Sequence, residues 1–129
     1  MSFDWEKYLI LADSLYHNCG TFSHKEACLR AAVSRGYYAA FCSARNLARD
    51  NDNLPLDNTG KDHGTVKRFY KNTSDRQRQK VGLLLGRLRD YRNKADYADA
   101  LPQLESDTQA SLNVSRQIIS LLQTIYTTL

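Results

Sequence analysis

The chain has 129 residues and a formal net charge of +4, with 42% hydrophobic and 25% charged residues. This is the mixture of a globular protein, so we expect residues 1–129 to form a single domain. Six glycines and two prolines are too few for a turn-rich β-sandwich. No apolar run approaches the roughly 18 residues of a membrane span, and the first residues lack a secretory signal pattern, so a cytoplasmic protein with no membrane contact is expected.

Two helices are predicted in the first part of the chain. The first spans residues 4–19, where apolar side chains recur at helical spacing after the candidate cap Asp4. The second starts near Ser23, with Glu26 three residues later in a capping-box pattern, and runs to about residue 49.

The second helix is expected to lie at the centre of the fold. Between residues 31 and 44 it is apolar on nearly every side, which is typical of a helix covered by several neighbours. Arg35 and Arg45 lie in this helix, and both need partners because an unpaired buried charge is costly. Aromatic residues at this spacing, Tyr37, Tyr38 and Phe41, are expected to pack in the core rather than to stack on bases.

Three further helices follow. Residues 51–60 form the clearest loop, and Ser74 or Asp75 is a candidate cap. The predicted helices are residues 61–70, residues 75 to at least 92, and residues 105–127, with a break at Leu101 and Pro102 before the last. Together the five segments predict an all-α antiparallel bundle of four to five helices.

The three cysteines, Cys19, Cys28 and Cys42, predict no disulfide framework and no zinc site. Their number is odd, and no Cys-x-x-Cys pair is present. We expect three buried thiols in helices and no metal.

Positive charge is concentrated in one part of the chain. Residues 61–94 carry eleven basic and three acidic side chains, whereas the rest carries seven and eleven. This imbalance favours an anionic partner such as nucleic acid, although a solvated helix face and an acidic protein surface remain alternatives. The candidate nucleic-acid contacts are Lys67, Arg68, Lys71, Arg76, Arg78 and Lys80.

Arg92 lies on the apolar side of the fourth predicted helix. With Tyr91 placed at zero on a helical wheel, Arg92 falls at about 100°, among the apolar side chains. It therefore points towards the bundle interior, a cleft or a subunit interface, and Asp96 four residues later is a local partner. A structural Arg92–Asp96 pair and a phosphate-binding arginine are both compatible with this position.

Three segments resemble one known family. Residues 32–41 (AVSRGYYAAF), 63–66 (HGTV) and 88–97 (LRDYRNKADY) occur in the order expected for a prokaryotic subgroup of HEPN domains, the "higher eukaryotes and prokaryotes nucleotide-binding" family. The resemblance covers nearly the whole chain. It implies a helical bundle that forms a homodimer, with paired clefts near the interface and no cofactor.

The resemblance also implies a class of function. Many HEPN proteins are toxins of toxin–antitoxin or defence systems that cut RNA without a metal, and their usual partner is a small nucleotidyltransferase. In active members an arginine, commonly followed by a polar residue such as Asn, holds the scissile phosphate, and a histidine after four to six intervening residues moves protons. Arg92 and Asn93 match the start of this motif, and Arg35, Tyr38 and Asp96 are assigned to the cleft around it.

The histidine of the motif is not present. Tyr97 occupies the position of the shortest spacing, and residues 98–129 contain no histidine. A tyrosine, with a reference pKa of about 10, is a poor general base near neutral pH. Because residues five apart on a straight helix differ by about 140° in direction, Arg92 and Tyr97 share a cleft only where the helix ends or bends. His63 is the best substitute, since it opens the basic third helix.

Three hypotheses remain open from the sequence. The first is a HEPN toxin-like protein that binds RNA or a nucleotide and cuts RNA with Arg92, Asn93, Tyr97 and His63. The second is a non-catalytic HEPN module that binds a nucleotidyltransferase or a larger defence complex. The third is a helical scaffold in which Arg92 forms only an interface salt bridge.

Overall fold

The computed structural model describes residues 2–127, and the regular elements in that range are all helical. Five α-helices follow one another: α1 (Lys7–His17), α2 (Lys25–Asp52), α3 (Asp62–Lys71), α4 (Arg76–Tyr97) and α5 (Leu104–Tyr126). A short 3-10 turn, Cys19–Thr21, separates α1 from α2. The prediction of an all-α bundle is therefore confirmed.

Helix α2 lies at the centre of this bundle, as its composition predicts. It packs against each of the other four helices. Tyr37 and Phe41 are 2% and 4% exposed and belong to the main core, so their assignment to the core is confirmed. The three cysteines are buried and free, and two of them lie in α2 while Cys19 lies in the 3-10 turn.

Two predicted helix starts are wrong. Asp4 accepts a hydrogen bond from the backbone N–H of Glu6 at 3.1 Å, but α1 begins only at Lys7. The capping box of Ser23 and Glu26 does not form, because the cap position of α2 is His24 and no side chain bonds to the first turn there.

The start of α4 and the end of α2 illustrate how local chemistry sets helix ends. Asp75 caps α4, since its Oδ1 accepts from the backbone N–H of Gln77 at 2.9 Å, as predicted. Helix α2 continues to Asp52, past the predicted end at Arg49. It stops where Asn53 adopts a left-handed conformation with φ 57°, and the backbone N–H of Leu54 returns to the carbonyl of Ala48.

A buried carboxylate shapes the loop between α2 and α3. Asp62, which is 5% exposed, accepts hydrogen bonds from the backbone N–H groups of Asp57 and Asn58 at 2.8 and 2.9 Å. These bonds fold the loop onto the start of α3 and thereby fix the position of His63.

Helices α3 and α4 approach closely at a glycine. A Cβ added to Gly82 would lie 2.6 Å from the backbone nitrogen of Lys71. The helices therefore touch through backbone at this point, which only glycine permits.

Candidate functional site

Two adjacent tyrosines of α2 connect that helix to α3 and α4. The Tyr37 hydroxyl lies 2.5 Å from Nδ1 of His63, at the start of α3. The Tyr38 hydroxyl accepts a hydrogen bond of 3.0 Å from Nη2 of Arg92, on α4. The fold thus places His63 and Arg92, 29 positions apart in the sequence, around one pair of tyrosines.

Arg92 points from α4 towards α2, on the apolar side of its helix, as the helical wheel predicts. Its side chain is 16% exposed, and its Nε lies 2.9 Å from Oδ2 of Asp96. The Nε–H is not aligned with that carboxylate, so the two groups form an ion pair without a hydrogen bond at Nε. Nη1 donates to Oδ1 of Asn93 at 3.0 Å. The predicted Arg92–Asp96 pair is confirmed, and Asn93 orients the same guanidinium group.

Tyr97 also reaches Arg92, but from the surface. It is the last residue of α4, its ring centroid lies 6.0 Å from Cζ of Arg92, and 75% of the residue is exposed. Because the helix ends at Tyr97, the side chain turns back along the helix end and covers one side of the arginine.

His63 is held in a stack of aromatic rings. Its ring lies 4.2 Å from the Phe41 ring and 5.6 Å from the Tyr37 ring, nearly parallel to both. Burial lowers the pKa of His63 below its usual value of 6.5, and the positive charges of Arg89 and Arg92 lower it further, while Asp62 opposes them. His63 is therefore a neutral imidazole at neutral pH.

Arg89 is a member of this site that the sequence analysis missed. It lies three residues before Arg92 and so on the same side of α4. Its charge acts on both Tyr37 and His63, and burial of Tyr37 raises the pKa of that hydroxyl despite both arginines. The Nε atoms of Arg89 and Arg92 are buried, with no hydrogen-bond partner among residues 2–127. We call Arg89, Arg92, Tyr37, Tyr38 and His63 the Arg92 cluster.

Arg35 extends the cluster along α2. Its Cζ lies 5.3 Å from the Tyr38 ring, on which the guanidinium of Arg92 also lies at 5.4 Å. The predicted cleft residues Arg35, Tyr38 and Asp96 thus all lie next to Arg92 or to its tyrosine.

The six predicted nucleic-acid contacts lie on α3 and on the first part of α4. Lys67 and Lys71 line a hollow of about 270 Å³ between α3 and α4, next to Arg87. Arg68 and Arg78 line a different hollow of about 480 Å³. The side chains of Arg76 and Lys80 are exposed near the start of α4.

Arg78 differs from the other five because it is already bound within the fold. Its Nη1 lies 3.1 Å from Oδ2 of Asp52, and the same nitrogen donates to the Tyr126 hydroxyl at 3.3 Å. The side chain is 18% exposed, and its Cζ lies 5.0 Å from the Tyr126 ring. Arg78 is therefore part of a polar network that joins α2, α4 and α5.

A third hollow lies at the end of α4, beside Asp96 and Tyr97. It has a volume of about 760 Å³ and is also lined by His24 and Arg30, among others. The sequence alone did not connect His24 with Tyr97, because this hollow forms only where the start of α2 packs against the end of α4. Arg30 helps to hold these ends together by donating to the carbonyl of Ala95 at 3.0 Å.

The Arg92 cluster has the groups needed to bind an oxyanion. It contains two guanidinium groups, two hydroxyls and a neutral imidazole, and the ion pair with Asp96 compensates only part of the positive charge. Arginine suits phosphate because its planar donors match two phosphate oxygens at once. Within residues 2–127 no group of three or more His, Cys, Asp or Glu side chains is placed to hold a metal ion.

A scan against protein-family models found no match to this chain, and searches of the curated proteins and of the solved structures found none either. In the part of the chain that the structure describes, no helix is long and apolar enough to cross a membrane.

Proposed function

We propose that this chain is a HEPN toxin-like protein of a toxin–antitoxin or defence module, and that it binds RNA or a nucleotide at the Arg92 cluster. One observation carries the proposal: two half-buried arginines, Arg89 and Arg92, lie beside a neutral histidine and two tyrosines, and the ion pair of Arg92 with Asp96 compensates only part of their positive charge. The remaining positive charge favours an anion, and the planar donors of arginine match two phosphate oxygens at once.

His63 takes the role of the missing motif histidine in this proposal. A general base needs an unprotonated nitrogen, and the lowered pKa of His63 keeps its ring neutral. When Nδ1–H donates to the Tyr37 hydroxyl, Nε2 is free to accept a proton. The ribose 2′-hydroxyl would give its proton to Nε2, its oxygen would attack the phosphorus, and the bond to the 5′-oxygen would break. The leaving 5′-oxygen would take a proton from water, and His63 would return its proton to the solvent. The products are a 2′,3′-cyclic phosphate and a free 5′-hydroxyl.

Arg92 would hold the phosphate during this reaction. Its contacts with Tyr38 and Asn93 fix the plane of the guanidinium before the ligand arrives. Such preorganisation lowers the entropic cost of binding. Tyr97, largely exposed beside Arg92, is placed to contact the sugar or base of a bound nucleotide.

A non-catalytic module is the second candidate. It is favoured by Tyr97 in the histidine position and by the absence of histidine from residues 98–129. Such a module would form a homodimer and bind a nucleotidyltransferase partner, with the Arg92 cluster serving as a nucleotide-binding site only.

An RNA cleavage assay in EDTA distinguishes the two candidates. Wild-type protein, Arg92→Ala, His63→Gln and the control Arg49→Ala are incubated with total RNA, and the ends of the products are analysed. Arg49 is a suitable control because it is an exposed arginine that pairs with its neighbour Asp50 near the end of α2.

The expected result is cleavage to cyclic phosphate by the wild type and by Arg49→Ala, and none by the other two variants. Retained RNA binding with no cleavage by any protein would support the non-catalytic module. RNA binding and cleavage unchanged in a folded Arg92→Ala variant would contradict the proposed site.

A further inference from the structure

The arginines in the middle of α2 lack the carboxylate partners that the arginines nearer its ends have. Arg30 and Arg49 are ion-paired with Glu26 and Asp50. Arg35 and Arg45 are half-buried, and neither has a carboxylate within 4.0 Å among residues 2–127. Half-buried charges without a counter-charge favour the binding of an anion.

Aromatic rings take the place of carboxylates around these two arginines. Cζ of Arg35 lies 4.9 Å from the Tyr8 ring and 5.3 Å from the Tyr38 ring. Cζ of Arg45 lies 5.6 Å from the Trp5 ring. A guanidinium group on a ring face keeps its full charge and its outward N–H donors, so these arginines are held in position and still able to bind.

The rings of Tyr8 and Trp5 belong to a cluster at the start of the chain. Phe3, Trp5 and Tyr8 form the N-terminal aromatic cluster, in which the three ring centroids lie 4.9 to 5.4 Å apart. Phe3 is 47% exposed, although a residue of this kind is normally buried. The cluster therefore presents the Phe3 ring to the solvent, with the half-buried rings of Trp5 and Tyr8 behind it, beside two arginines without a carboxylate partner.

This surface is continuous with the Arg92 cluster through one shared side chain. The Tyr38 ring is contacted by Arg35 at 5.3 Å and by Arg92 at 5.4 Å. Arginines and rings thus alternate from Arg92, through Tyr38 and Arg35, to Tyr8.

We propose that this alternating surface is a second binding site for single-stranded RNA, in which Arg35 and Arg45 contact phosphates and the N-terminal aromatic cluster stacks on a base. The proposal rests on the proposed function, since it extends the same RNA beyond the phosphate held at Arg92. Alternation of cations with aromatic rings matches the alternation of phosphates with bases in a single strand. Bases inside a duplex are already stacked, so a duplex gains nothing from the rings.

A second copy of the chain fits this surface less well. A symmetric dimer through it would bring Arg35 and Arg45 towards the same arginines of the partner. Like charges across an interface are unfavourable, whereas the phosphates of RNA complement them.

The test compares a short and a long probe, both 2′-O-methylated so that the 2′-hydroxyl cannot react. A uridine dinucleotide occupies the Arg92 cluster alone, whereas an oligouridine dodecamer also reaches the N-terminal aromatic cluster. Trp5 is the single tryptophan of the chain, so its fluorescence reports directly on stacking there. Calorimetry gives the affinity of each probe, and circular dichroism confirms that each variant is folded.

Two variants and two matched controls are used. Phe3→Ala is compared with Phe22→Ala, which removes a phenylalanine of similar exposure, 50% against 47%, near the start of α2. Arg45→Gln, which removes the guanidinium on the Trp5 ring, is compared with Arg49→Gln. If Phe3→Ala does not fold, the dodecamer affinity of Arg45→Gln and the Trp5 fluorescence of the wild type still test the proposal.

We expect the dodecamer, but not the dinucleotide, to quench Trp5. Phe3→Ala and Arg45→Gln should each weaken dodecamer binding by about fivefold or more and leave dinucleotide binding unchanged. Unchanged dodecamer binding in both variants, without Trp5 quenching, would overturn this inference and leave the proposed function intact.

Two further outcomes would also overturn it. Wild-type protein that binds neither probe would contradict the proposed function itself. Light scattering that shows loss of a dimer in Phe3→Ala, with unaltered affinity for both probes, would assign the surface to a second copy of the chain.

Discussion

Nδ1 of His63 lies 2.5 Å from the hydroxyl of Tyr37, a buried residue at the centre of α2. This contact holds the first turn of α3 against the central helix. It also selects which ring nitrogen faces away from the core, because the nitrogen bonded to Tyr37 is not available to a ligand. The orientation of His63 is thus a consequence of core packing.

The stability of the fold should depend on the protonation of His63. Its pKa in the folded protein is lowered below 6.5, chiefly by burial and then by Arg89 and Arg92. Below pH 6.5 the unfolded chain therefore binds this proton more readily than the folded one. The stabilisation due to His63 is complete above pH 6.5 and is lost progressively as the pH falls through that value and then through the lower folded pKa.

Thermal unfolding of His63→Gln tests this expectation. The difference in melting temperature between wild type and variant should grow smaller or reverse as the pH falls from 7 to about 5. His17→Gln, which removes an exposed histidine at the end of α1, should follow the wild type. A wild-type pH dependence that His63→Gln leaves unaltered would show that other groups cause it.

Removal of the Tyr38 hydroxyl should weaken RNA binding at Arg92 with little effect on the stability of the fold. Tyr38→Phe deletes the acceptor of the 3.0 Å hydrogen bond from Arg92 but keeps the ring. We expect the free energy of unfolding to change by about 1 kcal/mol or less, and the affinity for RNA to fall by about fivefold. Tyr16→Phe, a half-buried tyrosine of α1, is the control, and equal affinities of the two variants would contradict a positioning role for Tyr38.

Two glycines of α4 should respond in opposite directions to the same substitution. In Gly82→Ala the new methyl group would meet the backbone of Lys71 at 2.6 Å, so α3 must move, and a loss of about 1–3 kcal/mol is expected. In Gly86→Ala the nearest atom is Cδ of Lys67 at 3.5 Å, an ordinary contact. Alanine is the better helix former there, so a gain of about 0.5–1 kcal/mol is expected.

Urea denaturation of the two glycine variants measures both effects. A Gly82→Ala protein as stable as the wild type would mean that α3 and α4 do not approach as closely as described.

Asp62→Asn should loosen the loop before α3. The carboxylate of Asp62 accepts two backbone N–H groups, and an amide offers only one oxygen for them. One buried donor then loses its partner, which costs about 1–3 kcal/mol. Asp50→Asn changes an exposed carboxylate and should have little effect on stability by comparison.

Hydrogen exchange locates the effect of Asp62→Asn. Faster exchange at the amides of Asp57 and Asn58 is expected, with little change in α5. A uniform increase over the whole chain would instead indicate global destabilisation.

The helices were predictable from the sequence, whereas some of their ends were not. Apolar spacing placed all five, and the Asp75 cap followed from local chemistry alone. In contrast, residues 50–53 are all Asp or Asn, and local preferences do not decide which of them ends α2. The end falls at Asn53, where the chain turns back to Ala48.

The candidate site was predictable only where the geometry of a single helix determines the position of a side chain. The direction of Arg92 follows from helical geometry, and the structure confirms it. The proximity of His63 and Arg89 to Tyr37 depends on how α3 and α4 dock on α2, which no local pattern contains. The same limit explains why the internal partners of Arg78 were not predicted, since Asp52 and Tyr126 belong to other helices that are distant in the sequence.

Because Asp96 already pairs with Arg92, a ligand of the Arg92 cluster must bind tightly enough to displace its carboxylate. Its carboxylate is tethered four residues from Arg92 and lies 2.9 Å from Nε, so it competes with any incoming anion. A group tethered this closely acts as though present at millimolar concentration or above, on the order of magnitude of short linkers. A free monovalent anion at lower concentration would be outcompeted by this internal carboxylate. Under the proposed function, a chain of linked phosphates, which gains contacts beyond Arg92, would displace it, so the ion pair would favour polymers over small ions.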